Sequence, residues 1–352
     1  MGVFGNIFDW VLAVFLFGLL LFIHEAGHFV MARLTGVKVE EFGFGFPPRL
    51  VKLFTWQGTE ITLNWIPFGA FVRPLGEDDP SVPGGLASAS KRVRVAVLCG
   101  GVLANLLAAV LAFTIGFKIA YPEGVAIALV TADTPASQAG LLAGDRILAV
   151  DGTPVQNTQQ VIQYIYGNLG KEITLHLRRG SQVLDARVVP RSTWPSGQGP
   201  SGIELTIAYS GNHNWLEALG MALTTMGDQV KLIIQLPATI LRGSFNASTE
   251  RPVGPVGILD VTQQIVGSAR ENNRWVIILT WIGMINLALA IGNILPIPAL
   301  DGGRLVFIYI EAIRGKRVNP ERERMVHAYT LLVLLVLMLF VTYLDFFFPV
   351  LG

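Results

Sequence analysis

Cysteine and charge are both scarce in this sequence. The 352-residue chain contains one cysteine, and only 14% of its residues are charged. A single cysteine excludes an internal disulfide framework and a cysteine metal cluster. The formal net charge of +1 gives no basic surface for nucleic acid, so we expect no nucleic-acid partner. Hydrophobic residues make up 52% of the chain and the mean hydropathy is +0.53, which indicates an integral membrane protein.

Four stretches are apolar enough to span a bilayer, which takes about 20 residues. They are residues 10–31, 95–117, 275–295 and 329–348. The first lacks a basic flank and a small-residue cleavage site, so it is predicted to be a span and not a cleavable signal peptide. Basic residues concentrate between the first two spans and between the last two. The positive-inside rule therefore predicts that both of these loops are cytoplasmic and that residues 118–274 lie outside.

The sequence His24-Glu25-Ala26-Gly27-His28 lies at the inner end of the first span. Two histidines four residues apart share one helix face and can bind one Zn²⁺, while the adjacent glutamate can act as a general base on water. This motif also occurs by chance in long chains. Ionisable residues inside a span cost about 2.5 kcal/mol or more each, so their position favours a zinc site in or just beneath the bilayer.

A second motif, NILPIPALDGG at residues 293–303, interrupts the third apolar stretch near its predicted cytoplasmic end. Its two prolines break the helix, and broken backbone at membrane depth is tolerated only against protein or water. Asp301 would therefore lie level with His24 and His28 and complete a catalytic zinc set. Asn293 could donate a hydrogen bond to a developing oxyanion. The alternative is an ordinary span end with Asp-Gly-Gly as a turn.

With these motifs the chain resembles the site-2 protease family of intramembrane zinc metalloproteases. Further matching stretches are residues 43–45, 64–72, 100–105 and 254–258. The resemblance implies that His24, His28 and Asp301 bind zinc. It also implies that Glu25 is the catalytic acid and base and that Asn293 assists at the active site. Release of anti-sigma factors or clearance of signal-peptide remnants are the functions it suggests.

One position departs from the family pattern. Many bacterial relatives carry an asparagine five residues before the position of Asn293, where this chain has Ala288. The nearest asparagine is Asn286, and the pattern assigns it no substrate-binding role.

Residues 37–74 combine aromatic side chains with regularly placed glycines, which predicts short strands joined by turns. The resemblance implies a re-entrant β-segment that holds an unwound substrate by strand pairing. A transmembrane helix must be opened before hydrolysis, and an added strand restores hydrogen bonds to its backbone. A peripheral cytoplasmic hairpin is the alternative.

Residues 125–190 are more polar and alternate with period two, which predicts an α+β domain. Within it, Asp151-Gly152 predicts a hairpin turn. Residues 137–148 resemble PDZ domains of bacterial proteases with a permuted strand order. Such a domain would act as a size filter or bind an extended peptide at a sheet edge. The region 215–240 is predicted to be an amphipathic helix at the membrane interface.

The predicted fold is therefore a membrane α-helical protein of about four transmembrane helices, with a re-entrant β-segment and an inserted extracytoplasmic α+β PDZ domain. Residues 1–120 would hold the first two spans, and residues 121–192 the PDZ domain. A linker and interfacial region would occupy residues 193–274, and the last two spans residues 275–352.

The predicted function is an intramembrane Zn²⁺ endopeptidase that cleaves single-span membrane proteins within or near the bilayer. It would be a multi-pass protein of the inner or plasma membrane, with its active site toward the cytoplasm. The alternative is a membrane-anchored PDZ adaptor or chaperone whose metal site is structural or lost. The intact Glu25 argues against the adaptor, since a structural site needs no unliganded base. A metal transporter is disfavoured because the other spans lack polar residues for an ion path.

Overall fold

The computed structural model describes residues 3–195, 198–211, 213–241 and 253–347. Within them, four helices are long and apolar enough to cross a membrane. They cover Ile7–Leu34, Lys91–Ile119, Val276–Ile294 and Pro320–Phe347. Each corresponds to one predicted span, although the predicted end of the last span, residue 348, lies outside the described residues. The chain divides into two compact units, Met1–Gly116 with Trp215–Gly352, and Phe117–Asn214.

The first unit is mainly helical. Its helices are α1 (Val3–Leu34), α2 (Lys91–Ile119), α5 (Trp215–Leu241), α6 (Pro255–Glu271), α7 (Val276–Ile294), α8 (Asp301–Arg314) and α9 (Pro320–Phe347). Helices α1 and α2 approach backbone to backbone at Gly27 and Gly100. A Cβ atom on Gly27 would lie 2.2 Å from the carbonyl oxygen of Gly100, so only glycine fits there. Small residues commonly allow such close approach between membrane helices.

Helix α6 is held against α1 and α7 by polar contacts. The buried carboxylate of Asp9 in α1 accepts hydrogen bonds at 3.0 Å from both Nε and Nη2 of Arg270. On the α7 side, Trp281 Nε1 donates to the hydroxyl of Thr262 at 2.9 Å. The sequence suggested only a linker and interfacial region for residues 193–274, whereas α6 within it is a packed helix.

Helix α9 is attached to the rest of the unit near both of its ends. Near its start, His327 Nδ1 accepts a hydrogen bond from the backbone N–H of Ala299 at 2.8 Å. Near its end, Asp345 accepts from the backbone N–H groups of Gly254 and Gly257, each at 2.9 Å. Asp345 thereby satisfies the first backbone donors of α6, which have no partner inside that helix.

Two long strands follow α1, β1 (Val39–Trp56) and β2 (Thr59–Pro74). They bend so that residues 41–44 pair with residues 70–73 on one side and with residues 60–63 on the other. Phe42 of β1 packs against Phe22 and Phe29 of α1, with ring centroids 5.6 and 5.3 Å apart. The sequence predicted short strands joined by turns, whereas the structure has two long strands joined by one turn, and shifts of register along their pairing bend them.

The second unit is built on one antiparallel sheet with the strand order β7-β6-β4-β3-β8 and with β5 paired to β4. Its elements are β3 (Ala120–Val130), α3 (Pro135–Gln138), β4 (Arg146–Val150), β5 (Thr153–Pro154), α4 (Thr158–Gly167), β6 (Ile173–Arg179), β7 (Gln182–Val188) and β8 (Ile203–Gly211). Asp151 and Gly152 form the β4–β5 turn with positive φ angles of 47° and 79°, as expected of an Asp-Gly hairpin.

The boundary of this unit differs from the predicted 121–192. Strand β8 pairs with β3 along its length, from Ala120 opposite Gly211 to Val130 opposite Ile203. The compact unit therefore extends over Phe117–Asn214. The sequence of β8, IELTIAYSG, alternates apolar and polar residues over residues 203–207, so a strand signal was present but lay beyond the predicted boundary at residue 192.

Candidate active site

The two histidines of α1 lie one turn apart and meet the first residue of α8. His24 Nε2 and His28 Nε2 are 3.1 Å apart. The Oδ2 atom of Asp301 lies 3.1 Å from the first and 3.2 Å from the second. The structure thus brings together the three side chains that the sequence predicted as metal ligands.

This triangle of atoms fits a zinc ion. Ligand atoms about 2.0 Å from a tetrahedral zinc lie roughly 3.3 Å from one another, close to the separations observed here. Asp301 Oδ2 is buried and makes no hydrogen bond of acceptable geometry with any described residue, although both imidazoles face it. A cation among the three atoms would supply the missing partner, and two nitrogens with one carboxylate oxygen are typical zinc ligands.

Both histidines are also held through their second ring nitrogens. His28 Nδ1 lies 2.9 Å from the backbone carbonyl oxygen of Val97, and His24 Nδ1 lies 3.2 Å from Nδ2 of Asn105. Metal-binding histidines commonly have such outer partners, which fix the orientation of the ring. Both partners are on α2, so the α1–α2 contact determines the geometry of the site.

Gly101 provides the space that the imidazoles occupy. A Cβ atom at this position would lie 2.5 Å from His24 Cε1 and 2.5 Å from His28 Nε2. Any side chain there would displace both rings. The sequence placed Gly101 in a family-like stretch but gave no sign of this contact, because the contact depends on how α1 and α2 pack.

Asp301 reaches the histidines because the backbone breaks before it. Helix α7 ends at Ile294 and α8 begins at Asp301, in agreement with the helix break predicted from the two prolines. Gly302 packs closely on the segment between them, since a Cβ atom there would lie 2.2 Å from the carbonyl oxygen of Leu295. Asp301 is therefore the first residue of α8, and the start of α8 packs against the segment that connects it to α7.

Glu25 lies beside the three atoms and is bound by a different element. Its Oε2 accepts a hydrogen bond at 3.1 Å from the backbone N–H of Val72 in β2. Glu25 is not one of the three converging residues. Sequence reasoning missed the contact with Val72, because a backbone donor has no signature in the sequence.

The residues predicted for the site open onto one cavity of about 420 Å³. Its lining includes the five predicted site residues, His24, Glu25, His28, Asn293 and Asp301. Asn293 donates one amide hydrogen to the carbonyl oxygen of Leu289 at 3.0 Å, so its second amide hydrogen is available to another acceptor. Asn286 is not among the lining residues; it is fully buried and donates to the carbonyl oxygen of Ile282.

A charged pair borders the cavity. Arg304 Nη1 donates to Glu77 Oε1 at 2.7 Å, and both side chains line the cavity wall. Burial raises the pKa of Glu77 above its ordinary value, and the positive charge of Arg304 opposes this rise. The pair adds two charged groups to a cavity that is lined by both polar and apolar side chains.

Comparison with known proteins identifies the family of this chain. The sequence model of peptidase family M50 matches residues 12–338. Zinc metalloprotease RasP of Oceanobacillus iheyensis is 28% identical and covers 94% of this chain and 97% of its own length. The chloroplastic membrane metalloprotease ARASP of Arabidopsis thaliana is 31% identical, over 85% of this chain and 69% of its own length.

One solved structure is similar in sequence to part of this chain. The crystal structure of the PDZ domain of an SdrC-like protein from Listeria monocytogenes is 28% identical, with a TM-score of 0.21. It covers 24% of this chain and 88% of that domain.

The family match extends over nearly the whole chain and includes both motifs that meet at the cavity. Its relatives are metalloproteases, several of them named for zinc or for a membrane. The chain belongs to peptidase family M50, the site-2 protease family of membrane zinc metalloproteases.

Proposed function

We propose that this metalloprotease cleaves single-span membrane proteins within or near the bilayer, at a zinc site formed by His24, His28 and Asp301. The observation that carries the proposal is the convergence of these three side chains where α1, a helix apolar enough to cross a membrane, meets the start of α8, beside the separate carboxylate of Glu25. Water chemistry in a membrane protein requires room for water beside polar protein groups, and the 420 Å³ cavity offers that room.

The proposed chemistry divides among the residues of the cavity. A zinc ion held by His24, His28 and Asp301 would supply Lewis acidity and lower the pKa of water. Glu25 would take the proton from the attacking water and pass it to the leaving amine. Asn293 would donate its second amide hydrogen to the developing oxyanion.

Strand β2 supports the choice of an unwound membrane segment as substrate. Phe71, Val72 and Pro74 of β2 line the cavity, and Val72 contacts Glu25 directly. An extended substrate placed along this segment would bring its peptide bonds to the base. Pairing with a strand would also restore the hydrogen bonds that the substrate loses when its helix opens. We accordingly propose that residues 37–74 form a re-entrant segment that holds the substrate. Anti-sigma factors and signal-peptide remnants are the substrate classes we propose.

We place the active site toward the cytoplasm of an inner or plasma membrane, with residues 118–274 on the opposite side. The support is the distribution of basic residues in the two short loops. On this arrangement His24 and His28 lie in the inner leaflet, and α5 lies on the outer surface as an interfacial helix.

The second unit would act as an extracytoplasmic PDZ domain. A groove of about 340 Å³ runs between α4 and the edge strand β8, with Ile162, Ile203 and Leu205 among its lining residues. An exposed strand edge beside apolar side chains suits the binding of an extended peptide. This groove favours peptide binding over a pure size filter.

The test uses the full chain in lipid vesicles with a fluorescent single-span substrate. We expect Glu25→Gln to abolish cleavage while the protein retains about one Zn²⁺ per chain, because the ligands stay in place. Glu271→Gln, at an exposed position at the end of α6 and outside the cavity lining, is the matched control and should leave both quantities unchanged. Full activity of Glu25→Gln would refute the assignment of the base.

The alternative function, a membrane-anchored adaptor, predicts no cleavage by the wild type and no effect of Glu25→Gln. If the metal site were structural or lost, the wild-type chain would bind the single-span protein without cutting it. The Glu25→Gln variant would then behave like the wild type in every assay. The placement of Glu25 on the cavity, against a backbone donor and apart from the metal-binding atoms, favours the enzyme.

A further inference from the structure

Asn105 lies behind His24 in the interior of the first unit. It is on α2, one turn after Gly101, and has no exposed surface. Its Nδ2 lies 3.2 Å from His24 Nδ1. Its Oδ1 is buried and has no hydrogen-bond partner among the described residues. Burying the amide oxygen of Asn105 without a hydrogen-bond donor costs free energy. A polar side chain is therefore expected at this position only if it has a role there.

The two histidines differ in the partner behind them. Val97 offers His28 a backbone carbonyl, which can only accept. His28 Nδ1 must therefore carry hydrogen, and in the neutral ring Nε2 then has the lone pair that a metal requires. Asn105 offers His24 an amide, whose donor and acceptor ends exchange by a half-turn of the side chain.

This difference matters when His24 binds a metal through Nε2. The neutral ring then carries its hydrogen on Nδ1, which needs an acceptor and not a donor. In the structure Nδ1 faces the donor end of Asn105, an arrangement that suits a ring with its hydrogen on Nε2. The unpartnered Oδ1 belongs to the same amide and occupies nearly the same volume after a half-turn.

We propose that Asn105 is a positioning residue for His24, whose Oδ1 turns to accept the Nδ1 hydrogen when Nε2 binds zinc. The amide can donate to Nδ1 when the ring hydrogen is on Nε2, and it can accept from Nδ1 when the hydrogen is there. A carboxylate could only accept, and an apolar side chain could do neither. This proposal rests on the proposed function, because it assumes that His24 is a zinc ligand.

The test measures zinc affinity of the full-length protein in detergent, by competition with a chromogenic chelator. Asn105→Leu keeps the volume and removes both ends of the amide. We expect its zinc dissociation constant to rise 10- to 100-fold, the usual effect of losing an outer partner of a histidine ligand. Asn105→Asp restores an acceptor, and we expect its affinity to stay within threefold of the wild type.

The matched control is Asn286→Leu. Asn286 is also fully buried, lies in another apolar helix, and has an Oδ1 without a partner among the described residues, but it does not line the cavity. Its zinc affinity should equal that of the wild type. The melting temperature of every variant is measured without and with zinc. A purely structural role would lower the melting temperature of the metal-free protein but would leave the rise on adding zinc unchanged.

The outcomes are distinct. A zinc affinity of Asn105→Leu equal to the wild type, or lowered only as much as in Asn286→Leu, would overturn the proposal. If Asn105→Leu cannot be purified, Asn105→Asp decides alone, and a 10-fold or greater loss of its affinity overturns the proposal. A wild-type protein that binds no zinc would instead refute the proposed function.

Discussion

The carboxylate of Glu25 and the backbone N–H of Val72 are joined by a hydrogen bond of 3.1 Å. This bond links the helix that carries the HEAGH motif to the strand that borders the cavity. A backbone donor fixes the carboxylate without adding a charge, so the proposed base is oriented but not neutralised. Movement of β2 on substrate binding would therefore move the base as well.

Gly101→Ala should abolish zinc binding and cleavage. The added methyl group would lie 2.5 Å from both imidazoles, and the rings cannot yield without leaving the metal. Gly116→Ala on the same helix is the control, because its Cβ would meet neighbouring atoms at 3.5 Å or more. Zinc content and cleavage rate of the two purified variants provide the measurement. Equal activity of both variants would contradict the packing of α1 on α2.

Asp301→Asn should weaken zinc binding by about 100-fold or more and eliminate cleavage. The substitution keeps the shape but removes the negative charge that offsets Zn²⁺. Asp260→Asn is the control, since that carboxylate lies in α6 and accepts from Gln264 at 3.1 Å. Chelator competition and substrate cleavage test both variants. Unaltered zinc affinity of Asp301→Asn would remove it from the proposed ligand set.

Cysteine labelling should distinguish the two sides of the membrane. In a Cys99→Ala background, Ser88→Cys should react with an impermeant maleimide only from the cytoplasmic side. Lys171→Cys, in the second unit, should react only from the opposite side. Both positions are exposed in the structure, so failure to label would not arise from burial. Labelling of both from one side would contradict the proposed topology.

The second unit should lose stability in acid through Asp145. Two hydrogen bonds from Arg179, each of 2.7 Å, hold the pKa of this buried carboxyl below its ordinary value of 3.8. A lowered folded-state pKa stabilises the fold above the unfolded pKa, and this contribution is lost as the pH falls through 3.8 toward the folded value.

Arg179→Gln tests this contribution. It should lower the free energy of unfolding of the unit at neutral pH, because Asp145 would be left buried without its charged partner. Arg187→Gln, which removes a solvent-exposed pair with Glu172, should cost less than about 0.5 kcal/mol. Hydrogen exchange of residues 146–188 in the full chain measures both. The difference between wild type and Arg179→Gln should shrink between pH 5 and pH 3.

The sequence predicted those features of the fold that a few neighbouring residues determine by themselves. Long apolar runs predicted the four candidate spans, the two prolines before Asp301 predicted the helix break, and Asp151-Gly152 predicted a hairpin turn. Each of these signals comes from the backbone preference or the transfer free energy of a few neighbouring residues.

The partners of the site could not be read from the sequence in the same way. Asn105 and Gly101 matter because α2 packs against α1, and Val72 matters through its backbone. The same limit applies to α6, whose contacts with Asp9 and Asp345 join residues far apart in the chain. Tertiary packing decides such contacts, and no local pattern encodes it.

The attachment of α9 near its two ends has a consequence for its middle. Between His327 and Asp345, nearly every side chain from Leu331 to Phe340 is exposed on the protein surface. In a bilayer these residues face acyl chains, so apolar exchanges among them should be nearly neutral. A change in bilayer thickness would instead act as hydrophobic mismatch on the length of this helix. A tilt of α9 would strain its hydrogen bonds at His327 and Asp345. The partner of His327 is Ala299, which lies two residues before Asp301.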